Sequence, residues 1–216
     1  MAVILTNLYR TVTAGVVLAL VLLAAVVVLG EVDIGSAFGG RYAWAYLFVW
    51  IHVLAGIMWI GHLYYFNFVQ MIQMPKIPAE QKPAVSKFIA PEALWWFRWA
   101  AMLTIITGLV VAWLRGYLHD AYALGFAGPE GFDLPSFFIG TGMWLATIMW
   151  FNVWFVIWPN QKKALNIANA YPDLPQADKD KAARMAMLFS RTNVMLSIPM
   201  LLAMTGGGMN YGNSGL

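Results

Sequence analysis

The run HVLAGIMWIGHLYYFNFVQ, residues 52–70, decides the fold class, because it is long, apolar and free of Lys, Arg, Asp and Glu. A bilayer core requires about 20 apolar residues of α-helix, so the run predicts a membrane-spanning helix. It also contains His52 and His62. Ionisable side chains inside a bilayer are costly and are therefore functional candidates, and imidazole is a common axial ligand of haem iron. The run thus predicts a membrane protein with a redox cofactor.

The composition supports a membrane location. The chain has 216 residues, of which 61% are hydrophobic and 11% are charged, and its mean hydropathy is +0.67. Soluble domains average about 25% charged residues. We therefore expect most of the protein surface to be in contact with the lipid bilayer. The net charge of +3 does not indicate a nucleic-acid partner, because the basic residues lie in short loops, where they set topology.

Five segments are long and apolar enough to cross a bilayer. They lie at about 12–29, 42–70, 93–114, 136–158 and 185–205. We predict an all-α fold, a polytopic membrane helix bundle with five transmembrane helices. It is expected to form one membrane domain over 1–216, ending in a flexible tail at 206–216.

Lysines and arginines predict the orientation of the helices. Most of them lie in the loops 71–92 and 159–184, whereas the other two loops contain only Arg41 and Arg115. The positive-inside rule places the lysine-rich loops in the cytoplasm. We therefore expect a multi-pass protein of the bacterial inner membrane, with its N-terminus inside and its C-terminus outside. The first segment resembles a signal peptide, but its apolar core exceeds the typical length of about 7–15 residues, which favours a retained helix.

The chain contains no cysteine. This excludes thiolate metal sites, iron–sulfur clusters held by Cys, and c-type haem attachment within the chain. A haem in this protein is therefore expected to be haem b, held by non-covalent contacts.

His52 is the strongest candidate for the axial ligand of that haem. Gly56 and Trp59 follow at i+4 and i+7, on the same helix face, where a small residue would admit a flat macrocycle and a Trp would pack on it. His62 lies about 15 Å further along and about 80° round the helix, so the two histidines are not expected to ligate one iron. His62 remains a candidate for a second metal or for a pocket. The alternative for His52 is a hydrogen bond to a neighbouring helix.

Several residues are candidates for binding the propionates or the iron of this haem. Arg41 and Arg115 flank the predicted outer ends of helices two and three, which suits haem propionates, although snorkelling to the interface explains them equally well. The iron would be five-coordinate or would take a second ligand from His119, Met143 or Met204.

A second polar layer is predicted in the inner half of the membrane. It consists of Asn67, Arg98, Asn152, Arg191 and Asn193. In the functional interpretation Arg98, Asn152, Arg191 and Asn193 form a substrate or quinone pocket. In the alternative the asparagines join helices and the arginines snorkel. The predicted spans contain no Asp or Glu, which weighs against a proton pump or a cation-coupled transporter.

Prolines and glycines predict details of the helices. Pro175 and Asp178 indicate the start of the fifth helix. Pro159 is expected to end the fourth helix, whereas Pro199 is expected to lie within the fifth helix and to kink it, freeing a carbonyl near Met195. The small residues on helices three and four favour close helix approach. These residues are Thr107, Gly108, Gly140, Thr141 and Gly142.

Four runs together resemble the membrane domain of the bacterial urate hydroxylase family over about residues 42–205. They are HVLAGIMWIGHLYYFNFVQ (52–70), ALWWFRWAAMLTIITGL (93–109), TIMWFNVWFVIWPNQKK (147–163) and SRTNVMLSIPM (190–200). The resemblance implies a multi-span fold linked to urate oxidation, with electrons leaving through a cytochrome c module. The sequence departs from the family at Thr192, where a histidine is expected, and it lacks cysteines for a c-type haem.

These observations favour a b-type haem-linked redox protein that passes electrons from a small substrate or a quinol to a separate cytochrome c partner. If the chain is an enzyme, the resemblance implies a urate hydroxylase-like oxidoreductase. The alternative is a non-catalytic accessory subunit of a larger respiratory or oxidase complex. A channel or transporter is the weakest hypothesis, because the sequence shows no carboxylate in a span and no inverted repeat.

Overall fold

The computed structural model describes residues 2–30, 35, 39–128 and 131–206. Within these ranges the regular secondary structure is helical throughout, and five helices are long and apolar enough to cross a membrane. The predicted all-α class with five membrane-length helices is therefore confirmed. Residues 207–216, which contain most of the predicted tail, lie outside the described residues, as do most of residues 31–38.

The helices are numbered in chain order. They are α1 (Ala2–Leu5), α2 (Leu8–Leu29), α3 (Arg41–Lys76), α4 (Lys82–Arg115), α5 (Leu118–Tyr122), α6 (Leu134–Ala164) and α7 (Gln176–Gly206). The start of α7 directly after Pro175 confirms the predicted helix start. The chain forms two compact units, residues 1–47 and 48–216.

The first unit contains α1, α2 and the first turns of α3. The Asn7 side chain accepts a hydrogen bond from the backbone N–H of Arg10, which satisfies one of the free donors at the start of α2. None of the residues of α2 is buried. A helix that is apolar on every side and buries nothing suits contact with lipid all round.

The second unit has one main core, built from α3, α4, α6 and α7. Its largest fully buried apolar side chains are Trp59 and Leu63 on α3, Phe97 on α4, and Met149 and Val153 on α6. Phe66 and Phe97 add an edge-to-face contact between α3 and α4, with ring centroids 5.8 Å apart.

Two of the predicted glycine contacts bring α6 close to its neighbours. A Cβ at Gly140 would overlap the backbone carbonyl of Ala121 on α5, and a Cβ at Gly142 would lie 3.1 Å from Cγ of Met204 on α7. The close approach predicted for these positions is confirmed.

The helices extend beyond the predicted spans, so the linker between α3 and α4 is much shorter than the predicted loop 71–92. Pro159 was expected to end the fourth helix, and this prediction is wrong, because α6 continues to Ala164. The π-helical segment Asn152–Ile157 precedes the proline, and Trp158 donates its N–H to the carbonyl of Val153, five residues earlier. Pro159 therefore falls in the first turn of the segment Trp158–Ala164, where a missing N–H is tolerated.

Candidate functional site

The His52 imidazole on α3 faces α4. Its Nδ1 lies 2.9 Å from the backbone carbonyl oxygen of Thr104 and 3.3 Å from Oγ1 of Thr107. The Thr107 hydroxyl donates to the carbonyl of Leu103 at 2.6 Å, so its proton points along its own helix. Because a carbonyl oxygen can only accept a hydrogen bond, Nδ1 donates to the Thr104 carbonyl.

This hydrogen bond determines the chemistry of the other ring nitrogen. A neutral imidazole carries one proton, so a protonated Nδ1 leaves Nε2 with a free lone pair. Histidines that bind metals commonly donate their second N–H to a backbone carbonyl, which fixes the tautomer and the ring orientation. His52 thus makes the helix–helix hydrogen bond of the alternative interpretation, and its Nε2 keeps a lone pair.

Gly108 on α4 provides the space for the His52 ring. A Cβ at Gly108 would lie 2.9 Å from Cε1 of His52 and 3.1 Å from its Nδ1. Both distances are shorter than an ordinary contact of about 3.5–4.0 Å. The glycine is therefore required for this packing, as the sequence predicted for close helix approach.

The two neighbours of His52 on its own helix differ in their surroundings. A Cβ at Gly56 would meet no described atom within 4 Å, so space lies beside this glycine. Trp59 is only 1% exposed and belongs to the main core, where its indole N–H has no hydrogen-bond partner among the described residues.

His62 lies apart from the His52 contacts. Its Nδ1 is 2.6 Å from the carbonyl oxygen of Met58 on the same helix. Within the described ranges, no group of three or more His, Cys, Asp or Glu side chains is arranged to hold a metal ion. Any metal bound by these histidines would therefore need ligands of another kind.

The remaining haem candidates are dispersed. Arg115 is exposed at the last residue of α4. Arg41 is the first residue of α3 and belongs to the first unit, with its Cζ 5.9 Å from the ring centre of Tyr42. Met143 and Met204 pack in a small apolar cluster with Ala112 and Ala121. His119 is exposed and lines an open pocket of about 420 Å³.

Two of the four predicted pocket residues bind each other. Asn152 on α6 donates from Nδ2 to Oδ1 of Asn193 on α7 at 2.9 Å, and Asn193 donates to the carbonyl of Met149 at 3.0 Å. Asn193 is fully buried. These bonds join α6 to α7, as the helix-joining interpretation requires.

The same face of α7 also bonds to α3. Asn67 donates to Oγ of Ser190 at 2.8 Å. Ser197 donates to the carbonyl of Val194, so the hydroxyl of Tyr64 donates to Oγ of Ser197, at 2.9 Å. Ser190, Asn193 and Ser197 are spaced i, i+3 and i+7, which places them on one helix face. This face forms a buried polar seam that holds α3 and α6 against α7.

Arg191 is not part of this seam. It is exposed, and it lies two residues before Asn193, about 200° round the helix. The structure therefore does not bring Arg191 together with Asn152 and Asn193.

Arg98 on α4 has different surroundings. It is 8% exposed, and its Cζ lies 3.6 Å from the ring centre of Trp158 and 5.4 Å from that of Trp154, both on α6. Its Nη1 has no hydrogen-bond partner among the described residues. The guanidinium is thus held by cation–π contacts and keeps an unsatisfied donor.

Sequence reasoning did not find several residues of these contacts. They are Tyr64, Thr104, Trp158, Ser190 and Ser197. The periodicity of α7 offered a signal for Ser190 and Ser197, because both share the face of Asn193. Thr104 lies one turn before Gly108, on the same face of α4.

Residues 122–213 match the protein-family model described as urate oxidase N-terminal. The match confirms the expected resemblance for this part of the chain, which contains α6, α7 and the runs 147–163 and 190–200. It spans less than half of the chain and does not extend to His52 or Arg98. A comparison with curated proteins finds no match, and neither does a comparison with solved structures.

Proposed function

We propose that this chain is a membrane redox protein that binds haem b through Nε2 of His52. One observation carries the proposal: Nδ1 of His52 donates to the Thr104 carbonyl, which leaves Nε2 as the nitrogen available to an iron. The partial match to the urate oxidase N-terminal family adds support for oxidoreductase chemistry.

The residues around His52 fit a haem. His52 supplies a neutral imidazole donor, and Gly56 leaves space on the adjacent part of the same helix face. Gly108 and Thr104 would hold the ring orientation by packing and by the hydrogen bond. When bound, the haem would supply one-electron oxidation and reduction.

The wider function follows from this assignment as part of the proposal. The protein would take electrons from a small substrate or a quinol and pass them to a separate cytochrome c partner. If it is an enzyme, it is a urate hydroxylase-like oxidoreductase. We further propose a location in the bacterial inner membrane, with the N-terminus inside, the lysine-rich segments 71–92 and 159–184 in the cytoplasm, and the C-terminus outside.

A reduced-minus-oxidised absorption spectrum of the purified protein tests the haem assignment. We expect a b-type signal in the natural protein and its loss in His52→Ala, with an unchanged size-exclusion profile of the variant. His119→Ala, Met143→Ala and Met204→Ala then report on a second ligand to the iron. A spectrum that changes spin state in one of them would identify that ligand. A folded natural protein that never contains haem would overturn the proposal.

The second candidate is a non-catalytic accessory subunit of a larger respiratory or oxidase complex. It is favoured by α2, in which no residue is buried. This candidate predicts a haem-free chain that migrates in a mild detergent as part of a larger particle, and that dissociates when α2 is removed. Haem binding by the isolated chain would count against it.

A further inference from the structure

The Arg98 guanidinium is a buried charge without a counter-ion among the described residues. Arg98 is 8% exposed, and Nη1 lacks a hydrogen-bond partner among the described residues. The sequence contains no Asp or Glu in 34–79, 93–119 or 134–172, which include all of α3 and α6 and most of α4. The one carboxylate within α4, that of Glu92, accepts the indole N–H of Trp96 at 3.0 Å. A buried and unpaired cation is costly, so a partner from outside the described chain would stabilise it.

One group beside Arg98 is a further donor that lacks an acceptor among the described residues. The indole N–H of Trp154, whose ring lies 5.4 Å from Arg98 Cζ, is buried and has no partner in the described part of the chain. Trp158 covers the guanidinium at 3.6 Å from its ring centre. Because the Trp158 ring covers a face of the guanidinium, a ligand would bind at the N–H edge, in the plane of the guanidinium. That edge matches the oxygen atoms of a phosphate or a carboxylate.

The position of Trp158 favours a phosphate group. Trp158 lies four and five residues before Lys162 and Lys163 in α6, which is about 6–8 Å along the helix axis. Tryptophans and lysines at the end of a membrane-length helix are typical of the headgroup level. Arg98, which contacts Trp158, therefore lies within about one to two helical turns of the basic end of α6, the level at which lipid phosphates would be expected.

We infer that Arg98, with Trp154 and Trp158, forms a binding site for a phosphate-type oxyanion, carried by a phospholipid headgroup or free in solution. This site does not depend on haem binding at His52. It goes beyond the proposed redox function, because its ligand stabilises the bundle at the inner polar layer.

Thermal unfolding of the full chain in a neutral detergent, with and without added anion, tests the site. We expect the unfolding midpoint of the natural protein to rise by roughly 5 °C at an anion concentration of about 100 Kd. Phosphatidylglycerol and inorganic phosphate are the two probes. A rise with phosphatidylglycerol alone identifies a lipid as the source, and a similar rise with phosphate identifies a free oxyanion.

Arg98→Gln is expected to abolish the rise, and Arg98→Lys, which keeps the charge but not the planar fork, to weaken binding at least about tenfold. Arg184→Gln, at an exposed arginine on α7, is the matched control and keeps the full rise. In anion-free detergent, Arg98→Gln should unfold no earlier than the natural protein, because the substitution removes an uncompensated buried charge.

Two results would overturn the inference. One is a natural protein whose midpoint responds to neither probe. The other is an Arg98 variant that responds as fully as Arg184→Gln. If Arg98→Gln does not fold, the rise in the unfolding midpoint of Arg98→Lys with added anion is compared with that of Arg184→Gln instead. His52→Ala should keep the anion response, so a failure of haem binding remains distinguishable from a failure of the anion site.

Discussion

Replacing Gly108 by alanine tests the contact that orients the His52 ring. The new Cβ would lie 2.9 Å from Cε1 of His52, whereas an ordinary contact between carbon atoms is about 3.5 Å or more, so the ring must move by about 0.6 Å. A movement of this size away from α4 would stretch the 2.9 Å bond to the Thr104 carbonyl to about 3.5 Å, the outer limit of a hydrogen bond.

Overpacking of this kind typically costs about 1–3 kcal/mol, while alanine gains up to about 1 kcal/mol over glycine in a helix. Gly61→Ala is the matched control, because a Cβ at Gly61 meets no described atom within 4 Å and receives only the gain. We expect Gly108→Ala to be less stable than Gly61→Ala by about 1–3 kcal/mol in thermal or denaturant unfolding, and to bind less haem. Equal stability and equal haem content of the two variants would refute the packing described for His52.

Three further predictions concern other parts of the second unit. Gly56→Ala should gain the same helix stability as Gly61→Ala, because its Cβ also enters open space, but should weaken haem affinity about tenfold if the macrocycle lies beside it; haem titration of the apoprotein measures this. Asn193→Ala should lower the free energy of unfolding by about 1–2 kcal/mol, since it removes two buried bonds between helices. Thr192→Ala removes a hydroxyl that bonds only within α7, so it should change the free energy of unfolding little. Equal losses of stability in Asn193→Ala and Thr192→Ala would contradict the buried polar seam. Burial raises the pKa of the Tyr117 hydroxyl, against the opposing charge of Arg115, so the unfolded chain ionises first and stability should fall as pH rises above about 10. Tyr117→Phe should reduce this alkaline loss, as followed by unfolding at a series of pH values.

The helix count followed from the sequence because each apolar run meets the length that a bilayer imposes. The helix ends did not follow, because polar residues such as those of Gln176–Lys181 extend a helix into water as readily as they form a loop. The course of α6 past Pro159 depends on a π-helical segment, which hydrophobic periodicity does not predict.

The candidate site was predictable only residue by residue. Periodicity on one helix related His52 to Gly56, and it also separates Arg191 from Asn193 by about 200°. The partners across helices did not follow, because the rotation of α4 relative to α3 brings Thr104 and Gly108 to His52. The stacking of Arg98 on Trp158 likewise depends on the packing of α4 against α6.

The most direct test of the central claim is chemical rescue of a variant at position 52. His52→Gly is purified with and without millimolar imidazole, and the haem content and the reduced-minus-oxidised spectrum are recorded for both samples. If Nε2 of His52 holds the iron, the variant lacks the b-type signal and imidazole restores it in part. A variant that retains the natural spectrum without imidazole would contradict the account.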